Sequence, residues 1–385
     1  MRLILNLIGI VIPLCMAASF ERADGDSSDE ELDAALEAVL KETAVSSSSP
    51  QPLEPATISA LPAYGPISAD SPFFNRGRRG VMNVGNTCHL NAALQVLLHS
   101  RQLRELVLPI ASAPLPETGA DVLAARVVNA FARLMDAMWS DSDVARSNTP
   151  VNPTEVYQAI RAFQGAGFAA IGQMDDSQTG TIALLDALKS VDAPIALAAR
   201  ALTQSTLIKT LTCQTCSAPR GRREPLTTAE IPLGVGKAPI TLQESIRAYL
   251  ATEIIDDVRC DTCAANRRTS MENMLEPAPL MVFNIKRLGW NPYTFEPQRS
   301  GSWIHYPATF DMAEYVPGAA GEYRLIGIVH HVSNHYIADY LHPEDGRWYR
   351  TDDRSVIPFY NYLRPESGEP HMSGPSQTSL VYERV

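Results

Sequence analysis

The chain has 385 residues, 45% of them hydrophobic, enough for roughly two or three average domains or one large domain with extensions and a sizeable core. Its formal net charge of -11, from 32 basic against 43 acidic residues, argues against nucleic acid as the main partner, because phosphate binding needs a basic face; a partner with a basic surface fits better. Six cysteines include one single residue in the globular part and two C-x-x-C pairs, a pattern of one reactive thiol plus a metal site rather than a disulfide framework.

Residues 1–18 read as a secretory signal peptide. Arg2 supplies the charged start, Leu3 to Met16 is mostly apolar, and Ala17-Ala18-Ser19 offers small residues for cleavage. The run is short and contains Asn6 and Pro13, so no stable membrane span is expected. Cys15 lacks the small residues usual before a lipid-modified cysteine. Residues 19–43 form an acidic amphipathic helix, in which Asp29-Glu30-Glu31 leads into Leu32, Ala35, Leu36, Val39 and Leu40, with Ser27 or Ser28 as the cap. That order resembles a ubiquitin-interacting motif, with Val39 where the motif has Ser; a plain amphipathic helix is the alternative. Residues 44–75 are rich in Ser, Pro and Ala and cannot bury enough apolar surface to offset ordering, so a disordered linker is expected.

From Arg76 onward the composition is globular. Gly80-Val81-Met82-Asn83-Val84-Gly85-Asn86-Thr87-Cys88 is a turn-rich stretch that passes directly into helical spacing at Leu90, Leu94, Leu97 and Leu98. Cys88 therefore sits at a helix N-terminus, where free backbone N–H groups and the helix dipole favour the nucleophilic thiolate. The Asn83 amide is placed to donate to an oxyanion beside the sulfur. Gly-x-x-Asn-x-Gly-Asn-Thr-Cys-x-x-Asn-x-x-Leu-Gln strongly resembles the cysteine box of ubiquitin-specific proteases. The resemblance implies that Cys88 is the nucleophile and that Asn83 helps form the oxyanion hole. His89 stands where the family usually has an aromatic residue, a departure expected to touch packing more than chemistry.

Further helical patterns cover Leu103 to Leu108, Ala120 to Trp139 and Pro153 to Phe163, which makes the first half of the domain a helical lobe. Gln173-Met174-Asp175-Asp176-Ser177-Gln178-Thr179, followed by a helix over 182–188, resembles the family's Gln-Gln-Asp-Ala-x-Glu-Phe segment. Gln173 and Asp175 match; Met174, Gln178 and Thr179 depart. In the family the acidic residues of this segment contact the basic tail of ubiquitin, so Gln173, Asp175 and Gln178 are substrate-binding candidates and altered tail recognition is expected.

Between Leu207 and Ile285, Thr-, Val- and Ile-bearing segments alternate with turns and carry Cys213-Gln214-Thr215-Cys216 and Cys260-Asp261-Thr262-Cys263. Two such knuckles, at the tips of two hairpins, can bring four thiolates around a structural zinc; two disulfides are the alternative. The family carries this arrangement in its fingers subdomain, which grips ubiquitin. Leu280 to Leu288 then resembles the family's strand ending in Leu-Lys-Arg-Phe.

Tyr323 to His331, His335 to Tyr340 and Arg347 to Asp353 read as three strands of an antiparallel meander. It brings His335, at one strand start, near Asp352, at a neighbour's end, giving Cys88 a base and the base an orienting carboxylate. The segment resembles the family's histidine box, which assigns His335 as general base, Asp352 as its orienter, Asp353 as an auxiliary at the oxyanion and Tyr336 as a substrate-binding residue. Asn334 replaces the family's usual Gly, and the loop between His331 and His335 is shorter. Ser379 to Val385 resembles the family's last strand, so a complete catalytic domain over 76–385 is expected.

Taken together, the resemblance implies an α+β, papain-like ubiquitin-specific protease fold with helical thumb, β-sheet palm and zinc-bearing β fingers. It implies a thiol deubiquitinase that cleaves after the C-terminal glycine of ubiquitin, with ubiquitin and ubiquitinated proteins as partners and a monomer as the working form. A protease for another ubiquitin-like modifier and a catalytically weak ubiquitin-binding scaffold are the alternatives. Unpaired thiols conflict with export into an oxidising compartment. A protein exported by one cell and acting in the cytosol of a eukaryotic host resolves the conflict.

Overall fold

The computed structural model describes residues 76–139, 149–191, 193–233, 240–290, 297–316, 318–359 and 376–385. The expected signal peptide, acidic helix and linker lie outside the described residues.

Cys88–Leu98 contains neither Gly nor Pro and forms α1, with all eleven residues buried. Eight of its residues are Cys, Leu, Ala and Val, and its three polar ones, His89, Asn91 and Gln95, are buried on partners within the protein. Around it pack α2 (Arg101–Ser112), α3 (Val122–Trp139), α4 (Thr154–Gln164), α5 (Ser177–Lys189) and α6 (Ala193–Thr203), which form the expected helical lobe. Asp176 caps α5 by accepting from Gln178 N–H at 3.0 Å, so the helix starts earlier than its apolar spacing indicated and takes in Gln178 and Thr179.

Two sheets follow. β1 (Ser205–Cys213), β2 (Pro219–Leu226), β5 (Glu253–Arg259) and β6 (Asn266–Glu276) make a four-stranded antiparallel sheet in the order β2-β1-β6-β5. The larger sheet runs β15 (Ser355–Pro358), β14 (Trp348–Asp352), β13 (His335–Leu341), β12 (Glu322–Val332), β16 (Gln377–Arg384), β7 (Leu280–Lys286), β3 (Ala229–Pro232), with β11 (Thr309–Asp311) also on β12. β4 (Ile240–Thr241) pairs with β10 (Ile304–His305), β8 (Leu288–Trp290) pairs with β9 (Pro297–Arg299), and α7 (Leu242–Tyr249) opens with a capping box between Thr241 and Glu244.

The larger sheet is covered on both faces. Val282, Val329, Tyr336, Ala338 and Val381 face α1 and the helical lobe; Phe283, Ile328, Leu380 and Tyr382 face a second core closed by Leu242 and Ile246 of α7. This is why Leu280 to Phe283 reads as an apolar run rather than an alternating pattern. Arg287, just past that run, is buried and donates to the carbonyls of Gln377 and Ser302, so the Lys-Arg motif anchors β16 to the sheet.

The chain before α1 is stitched down along its whole length. Arg76 donates to Trp139 O, Gly77 N–H to Met138 O, and the Arg79 guanidinium to the carbonyls of Thr149 and Ala137, while Gln95 of α1 donates to Arg79 O. At Gly80 a Cβ would fall 2.2 Å from the carbonyl oxygen of Arg354, so only glycine lets this segment pass the β14–β15 turn. Val81 N–H then donates to Asp353 O at 2.8 Å.

α1 approaches the sheet closely at Gly327, where an added Cβ would lie 2.2 Å from Val96 Cγ1. Valine is stiff at χ1 in a helix and cannot move aside. Gly327→Ala should therefore destabilise the domain by about 1–3 kcal/mol in chemical denaturation, and Val96→Ala in the same chain should recover part of the loss. An unchanged denaturation midpoint would show that the helix does not press on the sheet there.

Candidate active site

Three hairpin features place the site. β12 and β13 are joined by Ser333-Asn334, both left-handed (φ 47 and 64), a two-residue turn in which asparagine takes the conformation a glycine would otherwise supply. The turn puts His335 at the first position of β13. β14 ends at Asp352, and Asp353, also left-handed (φ 48), opens the turn into β15. Asp352 and Asp353 thus project differently although adjacent.

His335 Nε2–H donates to Asp352 Oδ1 at 2.7 Å. With Nε2 committed as the donor, Nδ1 carries the lone pair and is the nitrogen able to accept a proton. The Cys88 sulfur accepts from the backbone N–H of Tyr336, the residue after His335, so the start of α1 and the start of β13 meet. Sequence reasoning expected a thiolate here. Instead burial pushes the Cys88 thiol up, and the Asp353 charge adds to this; the N–H groups of Tyr336, His89 and Cys88 offset only part of it. A thiol pushed up in this way needs a base to give up its proton.

Asp353 is the hub of the other half of the site. Its side chain is 15% exposed against 59% for Asp352. It accepts from Asn83 Nδ2 at 2.8 Å and Asn91 Nδ2 at 2.7 Å, and lies 3.9 Å from His335 Nε2. Asn83 Oδ1 in turn accepts from Gly85 N–H, Thr87 N–H and the Thr87 hydroxyl, which fixes the carboxamide with its NH₂ toward Asp353 and leaves a second N–H to donate. Asn91 was not among the expected site residues, although its visible signal was an asparagine about one turn after Cys88 on a largely apolar helix.

His89 substitutes for an aromatic residue, as expected. It is fully buried at 6.2 Å from Tyr157 and 6.0 Å from Phe168, with Nδ1 on Asn86 O, and burial pushes its pKa down toward a neutral ring.

The substrate-binding candidates fare differently. Tyr336 has its ring in the core, stacked on His331 at 4.5 Å, so its backbone rather than its side chain serves the site. Asp175 is turned into its own loop, accepting from Ala169 N–H, Asp176 N–H and the Thr179 hydroxyl. Gln173 likewise accepts from Ala170 N–H. Gln178 alone of the four reaches out, donating to Glu230 of β3 at 2.9 Å, and Glu230 is also 3.2 Å from Lys286 Nζ. Glu230 had no local signal, since 52 residues separate it from Gln178.

At the far end of the four-stranded sheet, Cys213-Gln214-Thr215-Cys216 closes the β1–β2 hairpin and Cys260-Asp261-Thr262-Cys263 closes β5–β6. The two knuckles are built alike. Cys213 N–H donates to Ala218 O and accepts at its own carbonyl from Ser217 N–H; Cys260 does the same with Ala265 and Ala264. Ser217 and Ala264 are both left-handed (φ 57 and 54). The Cys213 and Cys263 sulfurs are 3.9 Å apart, those of Cys216 and Cys260 3.7 Å, and all four lie within 4.8 Å of one another. Four sulfurs about 2.3 Å from one zinc sit about 3.8 Å apart, whereas a disulfide brings two to about 2.05 Å. Backbone N–H groups of Cys216 and Thr215 draw the Cys213 thiol down, and those of Cys263 and Thr262 draw Cys260 down, while the neighbouring sulfurs push Cys216 up. The set fits a tetrahedral metal with all four positions taken by sulfur.

A family model for ubiquitin carboxyl-terminal hydrolase matches residues 79–367. Ubiquitin carboxyl-terminal hydrolase 2 of Homo sapiens is 22% identical over 326 residues, covering 74% of this chain and 52% of that protein; the chain spans about half the length of such curated relatives. Ubl carboxyl-terminal hydrolase 18 of Mus musculus is 25% identical over 307 residues, covering 74% of this chain and 79% of that protein. The fold is similar to that of the SAGA Ubp8/Sgf11/Sus1/Sgf73 DUB module bound to ubiquitin aldehyde, with a TM-score of 0.63 at 16% identity over 94% of this chain and 76% of that one. Among the described residues no helix is long and apolar enough to cross a membrane.

Elemental analysis of the purified chain should find about one zinc per molecule, lost in Cys260→Ala. Metal-free protein with four freely titrating thiols at these positions would refute the site.

Proposed function

Because the chain belongs to the ubiquitin carboxyl-terminal hydrolase family, we propose that it is a cysteine-type deubiquitinase in which Cys88 and His335 carry out the chemistry. The observation behind this reading is the meeting of α1 and β13: the Cys88 sulfur, on the Tyr336 N–H, lies beside the strand start whose histidine is held by Asp352 through Nε2. In this mechanism His335 Nδ1 takes the Cys88 proton. The sulfur attacks the carbonyl carbon of the glycine that ends ubiquitin, and the second Asn83 N–H and the backbone N–H of Cys88 stabilise the oxyanion. The amine leaves with the proton held on His335, and water, deprotonated by the same nitrogen, hydrolyses the thioester.

Asp352 keeps the imidazole in the working tautomer, while Asp353 aims the oxyanion donor. Zinc, when bound by Cys213, Cys216, Cys260 and Cys263, would tie the two hairpins of the fingers together. Elsewhere on the domain Arg78 pairs with Asp345, and Arg76 and Arg104 with Glu344.

A hydrolase for another ubiquitin-like modifier is the second reading, favoured by the neutral Gln178 at the expected acidic position and by similarity to a mouse Ubl hydrolase. Export and action in the cytosol of a eukaryotic host belong to the same proposal and rest on the Met1–Ala18 pattern combined with the thiol chemistry above.

Ubiquitin carrying a C-terminal fluorophore tests the reading. Wild type should release the fluorophore and Cys88→Ala should fall to background, at least about a thousandfold lower. Equal turnover by Cys88→Ala would eliminate the mechanism, and turnover only of another modifier would select the second reading.

A further inference from the structure

The sheet that carries the proposed catalytic pair holds a second histidine–carboxylate pair, deeper and fully buried. In antiparallel strands, directly opposed residues share a face, as do alternate residues along each strand. By the observed register Val332 and His330 of β12, His335, Ile337 and Asp339 of β13, and Arg350 and Asp352 of β14 all lie on one face. His335 and Asp352 occupy its open end. Further in, Asp339 accepts from His330 Nε2 at 2.8 Å and from both Nε and Nη2 of Arg350, each at 2.8 Å.

The side chains of His330 and Asp339 are 0% exposed. His330 Nδ1 meets the Ser376 hydroxyl at 3.1 Å, and the Arg350 guanidinium lies 4.3 Å over the Phe359 ring. One carboxylate thus ties β12, β13 and β14 together, with the start of β16 and the end of β15 drawn in. Burial pushes the Asp339 carboxyl up, but the Arg350 fork and His330 outweigh it and draw it down to about 2. Well-packed apolar side chains often stabilise such a site equally well, so stability alone does not account for a buried ionic cluster. What a forked arginine–carboxylate pair adds is fixed geometry.

That geometry matters where it is applied. The pairing of β13 with β14 runs from Leu341–Trp348 to Ala338–Thr351, so Asp352 lies one residue past its end. Its side chain is mostly exposed, yet it must remain 2.7 Å from His335. Arg350 stands two residues before it, about 7 Å along the strand.

We infer that His330, Asp339 and Arg350 are positioning residues for the reaction: the Arg350–Asp339 clamp sets β14 against β13 so that Asp352 stays within hydrogen-bond reach of His335. The inference rests on the deubiquitinase reading and names the residues that hold its catalytic pair in place.

The test is a double-mutant cycle in the full chain on fluorophore-tagged ubiquitin. Arg350→Lys keeps the charge and removes the fork. It should lower kcat by about tenfold to a hundredfold with KM within about twofold, because a displaced orienter impairs chemistry and not binding. In the Asp352→Ala background the same substitution should cost nothing further, since Arg350 acts through Asp352. Melting curves and zinc content establish that each variant is folded; if Arg350→Lys does not fold, His330→Gln is carried through the same cycle. Equal fold losses in both backgrounds, or no loss in either, would overturn the inference while leaving the proposed function standing. Absence of turnover by the wild type would overturn the proposed function, and this inference with it.

Discussion

The desolvated sulfur of Cys88 is the constraint on which the site depends. α1 is buried all round, so the residue that begins it is taken out of water along with the rest. A helix N-terminus alone would favour thiolate, but here the loss of hydration pushes the thiol up, so its proton has to pass to a base. In the proposed mechanism the neighbours supply what such a nucleophile lacks: a base on β13, a carboxylate on β14 to orient that base, and fixed amide donors from the preceding loop.

These groups come from segments far apart in sequence, and close backbone packing brings them together. Gly80 lets the chain pass under the β14–β15 turn, and Gly327 lets α1 settle on β12. The first contact delivers Asn83 to Asp353, and the second brings Cys88 to the start of β13. Two adjacent aspartates then do separate work because the left-handed conformation of Asp353 turns its carboxylate inward to Asn83 and Asn91, leaving Asp352 for His335.

Local chemistry in the sequence made much of this legible. The turn-to-helix switch at Cys88, the paired knuckles at 213–216 and 260–263, and the meander carrying His335 and Asp352 each depend on neighbours in the chain, and each is found where the pattern placed it. Direction and distance were harder to read. Asp175 and Tyr336 matched positions of a motif, but the first closes its own loop and the second fills the core with its ring. Glu230 beside Gln178, and the cluster of His330, Asp339 and Arg350, exist only through strand register, which no local pattern encodes. The sign of the Cys88 shift was misjudged for the same reason: capping can be read from sequence, whereas the depth of burial is a property of the whole fold.

The pairing of Cys88 with His335 is tested most directly by the rate at which iodoacetamide alkylates the Cys88 peptide as a function of pH, followed by mass spectrometry. Wild type should react readily at pH 7, because the imidazole accepts the proton. In His335→Ala the reaction should appear only above the ordinary cysteine range of about 8.5, since burial then acts unopposed by any base. Equal rates for the two proteins at pH 7 would show that the thiol ionises without His335 and would contradict the account.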